Sequence, residues 1–270
     1  MAALGAGAER VDPAAFVTAL AALADRLPKA QAWVRADPGR VVGLEQELER
    51  ELVALILGHF GPVSVLAEEH FSTFGQYAHL APDTRDAPDN RLWFAVDPLD
   101  GSKSYAAGRE TYAVSVAGCV GDRPVFGFVY QPSSGTLYSA AEGVGGYAND
   151  RRLGGADAAS RRVAVGNGVV TDPVANLVAE KLLRESYDLE HMACTSLKFC
   201  RVADGQLAGL VKQVAASAGV LRVWGMAAGQ LIAAEAGIPC VGLDRRPWRW
   251  AAGTVMAGDR RFRTDIKEQR

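Results

Sequence analysis

The sequence predicts a mixed α/β (α+β) chain folded as a layered sandwich of two halves. Three observations carry this. Apolar residues recur at helical spacing up to residue 57, strand-length apolar runs dominate from there to residue 141, and helical and strand-like segments alternate beyond residue 162. At 270 residues and 28.6 kDa the chain is long enough for two packed halves, expected as 1–160 and 161–270.

From Pro13 to Trp33, Phe16, Val17, Leu20, Leu23 and Leu27 share one helical stripe, and Asp12 before Pro13 is a start signal. Asp37-Pro38-Gly39 breaks the pattern. A second helix runs from Leu44 to Leu57, with Leu48, Leu52, Leu55 and Ile56 on one face and Glu45, Glu47, Glu49 and Glu51 on the other, ended by Gly58 and Gly61. Val63 to Ala67 reads as a strand that stops at Glu68 and Glu69, residues 72–90 read as a polar loop, and Leu92 to Val96 is a second apolar run that stops at Asp97. Strands at 112–120, 124–131 and 136–141, with a turn at Gly143-Val144-Gly145-Gly146, form an antiparallel meander. After a charged link over 150–162 come a strand at 163–170, helices at 173–186 and 196–204, a strand at 207–211, a helix at 225–236 and a strand at 254–257.

Composition narrows the function. No run approaches the ~20 apolar residues of a spanning helix, and Met1 to Arg10 lack a basic segment ahead of an apolar one, so a cytoplasmic protein is expected. Net charge is −2 with acids and bases interspersed, which speaks against nucleic acid and anionic membrane and favours a small-molecule partner. Cys119, Cys194, Cys200 and Cys240 show no paired spacing, so buried thiols are expected rather than disulfides or zinc. His59, His70, His79 and His191 likewise lack ligand spacing, and no Gly-x-Ser-x-Gly elbow marks an α/β-hydrolase.

The chemistry concentrates at Asp97-Pro98-Leu99-Asp100-Gly101-Ser102. Two carboxylates straddle a proline ahead of a glycine, at the end of an apolar run, and Glu68 ends another run in the same way. If those strands are neighbours the three acids converge, as hard divalent cations require. By spacing alone the same residues also read as a capped turn.

The surrounding residues resemble the inositol-monophosphatase-like family, and particularly its 3'(2'),5'-bisphosphate nucleotidase branch. The resemblance runs through Ala67-Glu68-Glu69, Trp93 to Lys103, Val125 to Pro132, Ala140 to Gly143, Thr195 to Gly205 and Trp224 to Gly229. It implies the layered αβαβα sandwich of the inositol monophosphatase and fructose-1,6-bisphosphatase type, and hydrolysis of a phosphomonoester with Mg²⁺ or Mn²⁺. Glu68, Asp97, the Leu99 carbonyl and Asp100 would hold metal, while Ser102 with Glu45 would orient water. Gly101, Ser102, Lys103, Ser196 and Lys198 would contact substrate. The implied substrates are 3'-phosphoadenosine 5'-phosphate, inositol phosphates and sugar phosphates, and a homodimer is implied as well. Arg245 to Trp250 would lie near the substrate mouth, where a base could stack on tryptophan.

Two departures stand out. The family's Trp-Asp-x-Ala-Ala-Gly motif has Gly225 in place of its Asp, which removes one metal ligand. The early Thr-x-x-Asp segment aligns with Val42-Gly43-Leu44-Glu45, so a longer Glu45 replaces the water-activating Asp, with Glu47 a competitor for that role. The incomplete ligand set leaves a second reading open, a chain that binds a phosphorylated ligand without turnover.

Overall fold

A computed structural model describes residues 13–37, 39–69, 92–155, 161–166, 173–214, 216–217, 220–248, 250 and 253–266. The expected loop at 72–90, the 167–170 part of the expected strand, the start signal at Asp12, and His70 and His79 lie outside these residues. The chain is a five-layer αβαβα sandwich.

The first layer is helical: α1 (Pro13–Ala24), α2 (Arg26–Ala36) and α3 (Arg40–Phe60). The single helix expected over 13–33 is in fact two. Pro28 sits in the first turn of α2, where its missing N–H is not needed, but it could not have continued α1, whose ladder would require a donor there.

The second layer is a seven-stranded sheet in sequence order: β1 (Ser64–Ala67), β2 (Leu92–Asp100), β3 (Ala113–Val120), β4 (Arg123–Gln131), β5 (Thr136–Ala141), β6 (Gly145–Ala148) and β7 (Arg151–Arg152). The pair β1–β2 is parallel and the others are antiparallel. Both faces are covered, so β2 and β3 are apolar on both sides. Phe94, Val96, Val114 and Val116 face the first helical layer, and Ala95, Ala113, Ala117 and Cys119 face the middle one. Phe16 and Phe60 meet edge-on at 5.4 Å, and Phe60 packs on Phe94 at 4.8 Å. His59 joins them as a packing residue, its ring 5.5 Å from that of Phe16.

Short α4 (Ser102–Ala106) follows β2. The third layer is α6 (Thr195–Ala203) with α7 (Ala227–Glu235), whose buried faces join one core that reaches both sheets. Gly127 and Gly146 let the sheet approach α7: a methyl at Gly127 would lie 2.8 Å from the Ala228 backbone. The fourth layer is a five-stranded sheet ordered β13 (Cys240–Gly242), β14 (Gly253–Gly258), β10 (Gly209–Val214), β8 (Arg162–Val165) and β9 (Asp188–His191). A two-stranded ribbon, β11 (Ala216–Ser217) with β12 (Val220–Leu221), precedes α7. The outer layer is α5 (Pro173–Arg184) and α8 (Arg260–Asp265), which cover Val163, Val165, Val211 and Met256.

The four cysteines are free and buried, as expected. Residues 143–146 form the expected hairpin turn, fastened by Glu235, which accepts the Gly143 and Gly145 N–H groups at 2.9 Å each. Among the described residues no helix is long and apolar enough to cross a membrane.

Candidate active site

The site forms where β1 and β2 end. Parallel pairing places Ala67 opposite Val96, so the next residues, Glu68 and Asp97, leave the sheet side by side. In a regular strand, Asp97 and Asp100 would point to opposite faces, because side chains alternate. A β-bulge prevents this: Asp97 pairs with Ser115 and Asp100 with Ala113, three steps against two. Pro98, which cannot donate to a ladder, is tolerated in an inner strand because it lies in that bulge. The Leu99 N–H turns back to Asp97 Oδ1 at 3.2 Å.

Asp100 reaches across to the second half of the chain. Its Oδ1 accepts the Thr195 N–H at 3.0 Å, and its Oδ2 accepts the Ser196 N–H at 2.5 Å and the Cys194 thiol at 3.3 Å. The carboxylate therefore sits on the N-terminus of α6, where unsatisfied amides and the helix dipole favour an anion. Gly101 makes the approach possible. Its φ is +93°, and a methyl there would lie 2.8 Å from the Thr111 carbonyl and 2.9 Å from Cys194 Cβ.

Glu68 and Asp97 hydrogen-bond to each other, and the Trp224 indole also donates to Glu68. Burial, with the Asp100 charge second, raises the Glu68 pKa. Burial, then the charges of Glu68 and Asp100, holds Asp97 well above the usual carboxylate range. Trp224 is itself anchored, its carbonyl accepting the Ser115 hydroxyl at 3.2 Å.

Glu45 and Ser102 are brought together: the Ser102 hydroxyl acts on the Glu45 carboxylate and lowers its pKa, against the larger effect of burial. Burial, with the charges of Glu69 and Glu68 next, pushes Glu45 up to about 8. The four glutamates of α3 do not share a solvent face as expected. Glu45 and Glu49, one turn apart, are buried, and Glu49 accepts the Glu69 N–H at 2.6 Å. Glu47 and Glu51 face outward and pair with Arg26. Alternate residues on a helix lie far apart around it, so four acids spaced by two split between faces. Glu47 is thereby separated from the site.

Leu99 buries its side chain in the first-layer core. Ser196 is fully buried, and Lys103 is exposed. Lys198 is buried on α6, and its pKa is lowered to about 7, chiefly by burial and then by the neighbouring Lys212 charge. Burial likewise lowers the pKa of Lys212, on β10. Position 225 borders the same acids: a methyl at Gly225 would lie 2.9 Å from Asp97 Oδ2 and 3.7 Å from Asp100 Oδ1.

The tryptophans of the 245–250 segment are not open for base stacking. Trp248 and Trp250 are 7% and 3% exposed, and Trp250 packs edge-on to Trp93 and donates to Gln230 at 2.7 Å. The aromatic content that resembles a stacking platform is spent on the core. Sequence reasoning missed four site residues: Cys194, Thr195, Lys212 and Trp224. Thr195 and Trp224 lie inside the quoted motifs, but a backbone donor and an indole N–H leave no compositional signal.

Among the described residues no three His, Cys, Asp or Glu side chains stand ready-made around one point. Glu68 and Asp97 are turned onto each other and Asp100 onto α6. The donor chemistry nevertheless fits a hard divalent cation: Glu68, Asp97, Asp100 and the Leu99 carbonyl offer oxygen alone, and the acids repel one another without positive charge between them.

Acids gathered at adjacent strand ends of an αβαβα sandwich, beside a hydroxyl–carboxylate pair, define a class of metal-dependent phosphate-ester hydrolases. The chain belongs to the inositol monophosphatase family, whose sequence profile it matches over residues 18–269. The family's members are metal-dependent phosphatases. Inositol-1-monophosphatase SuhB of Mycobacterium tuberculosis is 34% identical over 168 residues, 57% of this chain and 54% of that protein. The probable inositol 1-monophosphatase ImpA of the same organism is 30% identical over 230 residues, 82% of this chain and 78% of its own. The structure of inositol monophosphatase II from Staphylococcus aureus superposes with a TM-score of 0.75 at 20% identity, covering 95% of this chain and 94% of that one. That protein, SaIMPase-II, is also known with inositol monophosphate bound and with 2'AMP bound.

Proposed function

We infer that this chain is a Mg²⁺-dependent phosphomonoesterase acting on a small phosphorylated metabolite. The observation that carries it is the Ser102 hydroxyl acting on Glu45 beside Glu68, Asp97 and Asp100, a pair suited to activating water next to a carboxylate cluster.

Glu68, Asp97, Asp100 and the Leu99 carbonyl would hold the cation, Mg²⁺ or Mn²⁺. When bound, it offsets phosphate charge and acidifies water. Ser102 orients the attacking water and relays its proton to Glu45, whose raised pKa suits a base working near neutrality. The longer side chain of Glu45 is matched to its place on α3, from which it reaches Ser102. Amides of Gly101 and Ser102 receive phosphate oxygens, and Lys103, Ser196 and Lys198 belong to the substrate side. The 1–160 half supplies the acids and the 161–270 half completes the pocket. A cytoplasmic homodimer is part of the same proposal.

The substrate is a 3'-phosphorylated nucleotide such as 3'-phosphoadenosine 5'-phosphate, or an inositol or sugar phosphate. SaIMPase-II binds inositol monophosphate and 2'AMP, a nucleotide phosphorylated at the 2' rather than the 3' position, which supports keeping an inositol phosphate and a nucleotide as candidates. The burial of Trp248 and Trp250 weakens the case for the nucleotide, because stacking there is closed.

Phosphate release should be measured from 3'-phosphoadenosine 5'-phosphate, inositol monophosphate, fructose bisphosphate and sugar phosphates, with Mg²⁺ or Mn²⁺ and with Asp97→Asn as the blank. Metal-dependent turnover that vanishes in the variant is the expected outcome. Background rates for both proteins on every compound would leave a phosphate-binding protein without turnover.

A further inference from the structure

Helix α4 carries Ser102 in its first turn, yet it has only five residues and no side-chain cap at its start. A helix of that length does not hold itself in water, so its direction is set by what it packs against. Side chains of α2 and α4 supply that hold. Gln31 Nε2 donates to the Tyr105 carbonyl at 3.2 Å and to the Arg109 carbonyl at 2.9 Å. The hydroxyl of Tyr105, a fully buried residue, donates back to the Leu27 carbonyl at 2.7 Å. Arg35 lies against Gly108, where a methyl would meet its Cδ at 2.5 Å. Leu27, Gln31 and Arg35 are spaced by four, one stripe of α2 turned to α4.

The same α2 also packs on the helix that bears Glu45. Leu27 and Val34 are buried in the first-layer core with Leu48 of α3, and Leu44 packs against that core. Beyond α4 the chain turns back to the helix start, so that a methyl on Gly101 would lie 2.8 Å from the Thr111 carbonyl. Helix α2 is thus a strut between the elements that carry Ser102 and Glu45. Gln31 suits this place by chemistry and by size. Its amide nitrogen has two hydrogens for two carbonyls, whereas a glutamate would set negative charge against both and a methionine of similar length offers no donor.

We propose that Gln31 is a positioning residue for water activation: by tying the 105–109 turn to α2, it fixes the direction of α4 and so the place of the Ser102 hydroxyl against Glu45. This rests on the reading of Ser102 and Glu45 as the water-activating pair. Gln31 acts through Ser102 and leaves metal and substrate binding alone.

Two measurements on the full chain test this. In amide hydrogen exchange of the metal-free protein, Gln31→Met should speed exchange at Ala107, Gly108 and Arg109, whose N–H groups close the end of α4, and leave β3 to β5 unchanged. In steady-state kinetics with Mg²⁺, Gln31→Met should lower kcat by about 10–100-fold and keep KM within about twofold. Gln31→Glu should lower kcat further. In a Ser102→Ala background Gln31→Met should cost less than about twofold, because the hydroxyl it positions is gone. Melting curves confirm that each variant folds, and Gln31→Glu takes the place of Gln31→Met if the latter does not. Unchanged exchange at 107–109, an unchanged kcat, or an equal loss of kcat with and without Ser102 would overturn the proposal alone. A wild-type chain without turnover on any compound of the panel removes the water-activating reading, and the role of Gln31 falls with it.

Discussion

At the scale of single residues, Glu45 and Ser102 divide the chemistry from the surface. Glu45→Gln keeps the shape and removes the base, and Ser102→Ala removes the hydroxyl that acts on it. Each should lower kcat by about 10²–10⁴-fold with little change in KM, the size expected of general acid–base help. Glu47→Gln should leave kcat unchanged, since Glu47 is an exposed partner of Arg26 and such pairs are worth about 0–1 kcal/mol. Steady-state kinetics on the three variants separates the two glutamates. Gly101 is a different kind of residue, needed for its conformation. Gly101→Ala places a methyl 2.8 Å from the Thr111 carbonyl at a φ of +93° and should cost about 1–3 kcal/mol of stability in denaturant titration.

Among the secondary-structure elements, what was legible in the sequence follows from how local the cause is. Strong apolar periods announced α3 and β2–β5, and the Gly-rich turn announced its hairpin, because those signals lie within a few neighbouring residues. Splitting α1 from α2 required weighing one proline at the third position of a helix. Placing Glu45 and Glu49 inside required knowing that the site lies beneath α3, since nothing in four alternating glutamates says which pair is inward. Strands β7, β9 and β13, at two to four residues each, are too short to show alternation. The bulge at Asp97–Asp100 was half legible: the proline and the paired acids were visible, but the register against β3 that turns both acids to one side is a long-range property. Helix α8 was missed although it has a clear start signal, Asp259 three residues before Phe262, whose N–H it accepts at 2.7 Å. Asp259→Ala should lower stability by about 1 kcal/mol, seen as a lower melting temperature.

For the whole molecule, the buried charges predict an unusual dependence of stability on pH in the metal-free chain. Glu45 titrates near 4.5 unfolded and at about 8 folded, so the native state holds the extra proton between those values. Its contribution is fully present below 4.5 and is lost as pH rises through about 8. Glu68 and Asp97, also raised, act in the same direction. Lys198 has the opposite sign: it titrates near 10.5 unfolded and at about 7 folded, so its contribution is fully present above 10.5 and is lost as pH falls through about 7. The two limbs meet in a shallow minimum of stability near pH 7–8, where many proteins are near their best. Thermal melting of chelator-treated protein from pH 5 to 10 should show that minimum. Mg²⁺ should raise the melting temperature more as pH rises through about 8, because it binds the native acids when they are ionised and stabilises by mass action. Glu45→Gln should weaken the acid limb and Lys198→Met the alkaline limb, each leaving the other in place. A single broad maximum at neutral pH in the metal-free chain would mean that these groups do not carry their charges as deep as the fold places them.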